Sequence, residues 1–105
     1  MPKRVDAQVS MSFRVTPRAD EDYYAIYAHG VERFGRAQAE AYADRLDESF
    51  AFLADHPRAA RMRYEFDPPV RALPVGAHMI VYDVEPDDTV VILRIPHGRA
   101  DWAND

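Results

Sequence analysis

The sequence has no cysteine among its 105 residues. This absence excludes disulfide bonds, thiolate metal ligands and cysteine nucleophiles, and it is typical of proteins that work in a reducing compartment. The chain also lacks an apolar run long enough to span a membrane, and its first residues lack the apolar segment of a signal peptide. We therefore expect a cytoplasmic protein that does not bind membranes.

The common motifs of catalysis and metal binding are missing too. The four histidines are far apart in the sequence, and none forms a zinc-binding pair at helical spacing. Glycine-rich phosphate-binding motifs and the nucleophile elbow of serine hydrolases do not occur, and no serine lies in such an elbow. The sequence thus predicts no metal site and no cofactor.

Positive charge is in short supply. The formal net charge is −5, which does not fit a domain that binds nucleic acid through a strongly basic surface. The charge is uneven, because residues 17–57 carry nine acids against four arginines, whereas residues 58–71 carry four arginines against two acids. We expect no direct binding of nucleic acid by this chain alone.

The apolar pattern predicts a domain with the element order β-α-α-β-β-β. Residues 11–15 alternate as a strand does, and apolar residues then recur at helical spacing over residues 17–34 and 36–55. Thr16-Pro17 is a helix start, Gly35 ends the first helix in a left-handed conformation, and His56-Pro57 ends the second. Strands are predicted over residues 70–73, 77–84 and 89–95. The sequence therefore predicts a single α+β domain over residues 11–105, preceded by an extension of residues 1–10.

The register of the last two strands predicts which side chains share a face. With a turn over residues 85–88, Val84 pairs with Thr89. One face then carries Ile80, Tyr82, Val84, Val91, Leu93 and Ile95. The other face carries Met79, Val81, Asp83, Val90, Ile92 and Arg94. One helical hairpin covers about one face, so the second face is left apolar for a protein partner, or for the N-terminal extension, the 58–69 connector or a second subunit.

A few polar residues near the strand ends have chemical potential. They are Arg71, Tyr82, Arg94, His97 and Arg99. His97 could act as a general acid or base, and Arg71 and Arg94 could bind a phosphate. Such residues are more often structural, and we interpret the chain as having no catalytic residue, with Arg71, Arg94 and His97 as the alternative catalytic set.

Residues 13–101 resemble the ParE branch of the RelE/ParE superfamily of toxins. In the first half, the resemblance rests on Thr16-Pro17-Arg18-Ala19, Tyr27, Phe34-Gly35, Ala39, Tyr42, Leu46, Phe50, Leu53, Ala54 and Pro57. In the second half, it rests on Val70-Arg71, Val75-Gly76, His78, Ile80, Tyr82, the acidic turn, Ile92-Leu93-Arg94-Ile95, His97-Gly98-Arg99 and Asp101. The resemblance implies a helical hairpin packed on one face of an antiparallel-rich sheet.

The same resemblance implies a function and two partners. ParE-like toxins poison DNA gyrase through protein binding, without a catalytic set, and a ParD-like antitoxin with a ribbon–helix–helix domain neutralises them. Its C-terminal segment lies against the sheet of the toxin, which agrees with the uncovered face. We therefore expect antitoxin-binding residues at Met79, Val81, Val90, Ile92 and Arg94. Target-binding residues are expected at Arg71, His97, Arg99 and Trp102.

Two alternatives stay open at this point. The RelE branch has the same fold and cuts messenger RNA on the ribosome with basic residues and a tyrosine or histidine. The net charge of −5 opposes that interpretation, because ribosomal RNA repels an acidic domain. A non-toxic interaction module of the same fold is the other alternative.

Overall fold

A computed structural model describes residues 13–100, which form two helices and one five-stranded sheet. The helices are α1 (Pro17–Phe34) and α2 (Arg36–Asp55). The strands are β1 (Phe13–Val15), β2 (Met62–Arg63), β3 (Val70–Val75), β4 (His78–Val84) and β5 (Val90–Arg94). The α+β class is confirmed, while the predicted extension of residues 1–10 lies outside the described residues.

Both helices begin and end where the sequence predicts. The hydroxyl of Thr16 accepts a hydrogen bond from the Ala19 N–H at 3.1 Å, which caps the first turn of α1. The same hydroxyl donates to the Leu93 carbonyl at 3.0 Å and thereby ties the helix start to β5. Gly35 joins the helices at φ 90° and ψ 163°, so its φ is positive as expected, although the conformation is not that of a left-handed helix.

The sheet has the strand order β1-β5-β4-β3-β2. β1 runs parallel to β5, and the other neighbours are antiparallel. β2 was not predicted, because its two residues lie in a polar connector and pair only with Val70 and Arg71 of β3. The predicted order β-α-α-β-β-β therefore lacks one short edge strand.

The predicted register between β4 and β5 was wrong by one residue. Val84 pairs with Val90, not with Thr89. Two backbone hydrogen bonds close the loop between them. Glu85 N–H donates to the Thr89 carbonyl and Asp88 N–H donates to the Glu85 carbonyl, both at 2.8 Å. Asp88 has φ 69°, the left-handed position that follows a type I turn in a three-residue hairpin loop. A loop with an odd number of residues reverses the predicted faces of Val90, Val91 and Ile92, the part of β5 before any further irregularity.

Val90 and Ile92 consequently belong to the core and not to the partner face. Both side chains are fully buried, and they pack in one cluster with Tyr23 of α1 and Phe50 of α2. Val91, expected on the helical face, is buried outside this cluster. The expectation that Val90 and Ile92 bind an antitoxin is therefore corrected by the register.

A bulge at Leu93 restores the predicted register parity for Arg94. Tyr82 pairs with Ile92 and Val81 with Arg94, so β5 has one extra residue between the two pairs. The Arg94 side chain lies beside α1, where its Nε is 3.5 Å from the Asp22 Oδ2. Arg94 is thus aligned with Val81 in the sheet, as its predicted face requires, but its charged group pairs with Asp22 of the helical hairpin.

The second face of the sheet is not the open apolar surface that was expected. Its small apolar side chains Ala72, Val81 and Val91 are all buried, whereas Met79 is half-buried and Asp83 is exposed. Of the five predicted antitoxin-binding residues, Met79, Val81 and Arg94 align with this face, but only Met79 offers much apolar surface.

Candidate partner-binding groove

A groove with a volume of about 510 Å³ separates the helical hairpin from the residues that follow β5. We call it the hairpin groove. Residues from α1, α2, the start of β4 and the segment 94–100 line it: Asp22, Ala25, Ile26, His29, Gly30, Phe34, Gln38, Ala39, Tyr42, His78, Arg94, Ile95, Pro96, His97 and Ala100. Its walls are largely apolar with a few polar groups, which is the usual character of a binding site.

The α1 wall of the groove follows the helical repeat. Asp22, Ile26, Gly30 and Phe34 are four residues apart, so they lie along one side of the helix, next to the stripe that enters the core. Phe34 is 58% exposed at the end of this row. Gly30 allows the two helices to approach closely, because a Cβ there would lie 3.3 Å from the Ala39 Cβ. The wall is thus a mainly apolar row beside the core, partly buried at Ile26 and exposed at Phe34.

Tyr42 of α2 holds the β3–β4 turn at the inner end of the groove. Its hydroxyl donates to the Val75 carbonyl at 3.0 Å and accepts from the Ala77 N–H at 3.1 Å. Gly76 has φ 57°, and a Cβ at this position would lie 2.6 Å from atoms of the Tyr42 side chain. Partial burial raises the pKa of the Tyr42 phenol, so it remains a neutral hydrogen-bonding group.

Two histidines face each other beside Tyr42. The Nδ1 of His78 is 2.7 Å from the Tyr42 hydroxyl, and the His78 and His97 rings form an edge-to-face pair with centroids 5.5 Å apart. Burial, assisted by His97 and His29, lowers the pKa of His78, against the opposing influence of Asp22. His78 is therefore held mainly in its neutral form.

The carboxylate of Asp22 anchors the other side of the groove. Its Oδ2 accepts a hydrogen bond from the Ile95 N–H at 2.8 Å and lies 3.5 Å from the Nε of Arg94. This contact satisfies a backbone donor just beyond β5, where β1 no longer provides a partner. Asp22 and Arg94 fix the segment after β5 against α1.

The residues of the alternative catalytic set do not assemble into one site. Arg71 pairs with Tyr82, and His97 is bridged to His78, four residues away along β4. At about 3.3 Å per residue this separates them by roughly 13 Å. The structure therefore brings Arg94 and His97 together at the groove but leaves Arg71 at the other end of the sheet.

Arg71 and Tyr82 hold the connector that follows α2. The Arg71 Nη1 donates to the Ala60 carbonyl at 2.6 Å. The Tyr82 hydroxyl donates to the Pro57 carbonyl at 2.8 Å and accepts from the Ala60 N–H at 3.3 Å. Arg71, predicted to contact a target, thus has a structural role, while His97 and Arg99 are exposed. Trp102 lies outside the described residues.

Sequence reasoning assigned no site role to Phe34, Tyr42, His78 or Asp22. Phe34 ends the helical stripe beside Gly35, and its position at the tip of a hairpin is a signal that it lies outside the core. Tyr42 and His78 were noted in the sequence as residues that carry the family resemblance, but not as parts of a site. The edge-to-face arrangement of His78 and His97 requires the register created by the Leu93 bulge, which has no sequence signal.

Two kinds of feature were not found among residues 13–100. No group of three or more histidine, aspartate or glutamate side chains there could hold a metal ion. Over the same residues, neither helix has the length and apolar character needed to cross a membrane.

The helical hairpin on a mixed sheet is a fold found in a solved chain of a bacterial toxin–antitoxin system, and together with the family match it places the protein in the toxin class of such systems. Residues 13–102 match the family model described as "ParE toxin of type II toxin-antitoxin system, parDE". The chain belongs to the ParE toxin family of type II toxin–antitoxin systems.

Individual relatives agree with this assignment. Toxin ParE1 of Mycobacterium tuberculosis is 30% identical over 93 residues, which cover 89% of this chain and 95% of the relative. Toxin ParE1 of Caulobacter vibrioides is 28% identical over 85 residues, covering 81% of this chain and 86% of that one. A chain of the chromosomal ParDE system of P. aeruginosa superposes with a TM-score of 0.71 at 27% identity, covering 83% of this chain and 95% of that chain.

Proposed function

We propose that this toxin inhibits growth by binding DNA gyrase and trapping its cleaved DNA, and that a cognate ParD-like antitoxin neutralises it. The observation that carries the proposal is the family match over residues 13–102, since gyrase poisoning is what the resemblance to ParE toxins implies. The absence of an assembled Arg71–Arg94–His97 set supports action by binding, and the separation of Arg71 from His97 disfavours messenger RNA cleavage.

The gyrase proposal is tested with purified components. The chain is incubated with gyrase and supercoiled plasmid, and linear DNA is measured after detergent and protease treatment. We expect linear DNA that depends on both gyrase and toxin. The absence of linear product at every toxin excess would contradict the proposal.

Residues 97–100, which are exposed, provide candidate contacts for gyrase. Arg99 follows His97 and is exposed, and arginine is common at protein interfaces. Arg99→Glu is expected to lower the yield of linear DNA without changing the fold. Arg61→Glu is the matched control, because it changes an exposed arginine of the connector outside the groove. Equal loss from both variants would indicate a general charge effect and would remove Arg99 from the contact.

For the antitoxin, we propose that an apolar segment of it docks in the hairpin groove. The groove exposes Phe34 and the row of α1 side chains that ends there. Exposed apolar surface of this kind is typical of interaction sites, and an amphipathic segment buries it with few new polar contacts. Met79, which is half-buried on the second face beside the buried Val81, remains a candidate for a further part of the same contact.

The docking proposal predicts different effects for two exposed phenylalanines. Phe34→Ala removes an aromatic side chain from the groove and is expected to weaken antitoxin binding by about tenfold or more. Phe52→Ala is the matched control, because Phe52 is 46% exposed on α2 but does not line the groove. Calorimetric titration with the antitoxin from the neighbouring gene measures both. Unchanged affinity for Phe34→Ala, with a loss for Met79→Asp, would place the antitoxin on the sheet face instead.

A further inference from the structure

The segment after β5 is fastened to β4 by two backbone hydrogen bonds. Met79 N–H donates to the Pro96 carbonyl at 2.9 Å, and Gly98 N–H donates to the Ala77 carbonyl at 2.8 Å. The facing pair His78 and His97 lies between these two bonds as an isolated antiparallel bridge. The attachment of one wall of the hairpin groove is therefore centred on two histidine side chains.

The turn that follows His97 uses a ring nitrogen of this residue as a hydrogen-bond acceptor. Its Nδ1 accepts a hydrogen bond from the Arg99 N–H at 3.1 Å, and its carbonyl accepts from the Ala100 N–H at 3.0 Å. A protonated imidazole carries hydrogen on both ring nitrogens and cannot accept such a bond. Protonation of His97 consequently removes the side-chain hydrogen bond that closes residues 97–99.

The surroundings of His78 disfavour its protonated form. His78 is half-buried against the Tyr42 hydroxyl of α2, and the ionisable groups that influence it are His97, together with His29 and Asp22 from α1; Arg94 of β5 lines the same groove. Asp22 is the one carboxylate among them, and its Oδ2 already serves the Ile95 N–H and Arg94. A second positive charge on His97, with the ring centroids 5.5 Å apart, therefore meets little compensation.

We infer that the His78–His97 pair is an acid-sensitive contact that holds residues 95–100 against β4 and weakens when both rings are protonated. Histidine is the side chain whose charge changes between about pH 5 and 8. The weakening of this contact exposes one wall of the hairpin groove, and this inference holds whether or not an antitoxin binds there.

The direction of the pH dependence follows from linkage. The folded-state pKa of His78 is lowered from its ordinary value of 6.5, mainly by burial. A histidine with a lowered pKa contributes stability that is present above its unfolded pKa and is lost as the pH falls through the folded pKa. The attachment is therefore firm at pH 7.5 and weakens below about 6.5.

Amide hydrogen exchange of the isolated chain tests the inference directly. The reporters are the Gly98 and Met79 N–H groups, and the reference is the Glu85 N–H, which donates to Thr89 at the other end of β4. Between pH 7.5 and 5.0 we expect the protection factor of Gly98 to fall on the order of tenfold relative to that of Glu85. An equal change at both amides, or none at Gly98, would overturn the inference.

His97→Asn separates titration from hydrogen bonding. The asparagine side-chain oxygen accepts a bond from the N–H two residues later, as in an Asx turn, but it does not titrate. This variant should retain Gly98 protection at pH 7.5 and lose the relative drop at pH 5.0, whereas the control His56→Gln should behave like the unchanged chain. His56 is an exposed histidine that packs on Phe52, away from the groove.

A proton NMR titration of the His78 ring provides a second readout. With the facing charge removed in His97→Asn, the titration midpoint of His78 is expected to move to higher pH. A midpoint that does not move, or a drop in Gly98 protection that persists in His97→Asn, would show that the two rings are not coupled. Either result would refute the inference of an acid-sensitive contact.

Discussion

At the residue scale, the side chains that looked most reactive hold the backbone in place. Tyr82 is fully buried, and its hydroxyl satisfies two backbone groups of the connector. Arg71 adds a third bond to the same connector through the Ala60 carbonyl. Sequence reasoning recognised these residues as unusual in a strand but could not identify their partners, because the carbonyls that they bind carry no sequence signal.

Tyr82→Phe tests this structural role. It removes the hydroxyl that accepts the Ala60 N–H, and leaving a buried donor without a partner costs about 1–3 kcal/mol of unfolding free energy. Urea denaturation measures the change. Tyr64→Phe is the matched control, because Tyr64 is 77% exposed, and surface substitutions usually stay within about 0.5 kcal/mol. Equal stability of the two variants would contradict the assigned role.

Because the observed register places Ile92 in the core, a substitution at Ile92 does not test a partner-binding face. Ile92→Asp places a carboxylate where the side chain is fully buried against the helices, so it is expected to unfold the protein and not to report on a partner. Met79→Asp lies on the half-buried second face and is the suitable probe there.

At the scale of elements, the helices were predictable and the hairpin register was not. The ends of α1 and α2 are set by local chemistry at Thr16-Pro17, Gly35 and His56-Pro57, which can be recognised in the sequence. The register depends on the conformation of a single residue, Asp88, whose positive φ makes the loop one residue longer than a two-residue turn. The short strand β2 escaped prediction because its partner strand, not its own pattern, defines it.

Substitutions at Asp88 test the loop assignment. Asparagine and glycine tolerate a positive φ, so Asp88→Asn and Asp88→Gly should leave the unfolding free energy within about 1 kcal/mol of the unchanged chain. Asp88→Val forces a β-branched residue into this conformation and should cost about 1–3 kcal/mol. Thermal denaturation, monitored by circular dichroism, distinguishes the three variants. A valine variant as stable as the asparagine variant would argue against the three-residue loop. All three variants lose the exposed ion pair with Arg58, so its small contribution cancels in the comparison.

At the scale of the whole molecule, the two ends of β4 serve different purposes. One end holds the connector through Tyr82, and the other carries His78 beside the hairpin groove. The groove combines α1, α2, the start of β4 and the residues after β5, so it arises only when the chain is folded. The sequence does not predict that these residues converge. Their convergence depends on the bulge at Leu93 and on the bridge between His78 and His97, and neither has a sequence signature.

The proposed action of this toxin, binding to gyrase, has a stoichiometry that catalysis lacks. A fixed amount of gyrase and supercoiled plasmid is titrated with the chain, and the linear DNA is measured after detergent and protease treatment. The gyrase proposal predicts that linear DNA rises with toxin and levels off once the toxin saturates its binding sites on gyrase. Full effect from an amount of toxin far below that of gyrase, or no linear DNA at any excess, would contradict it.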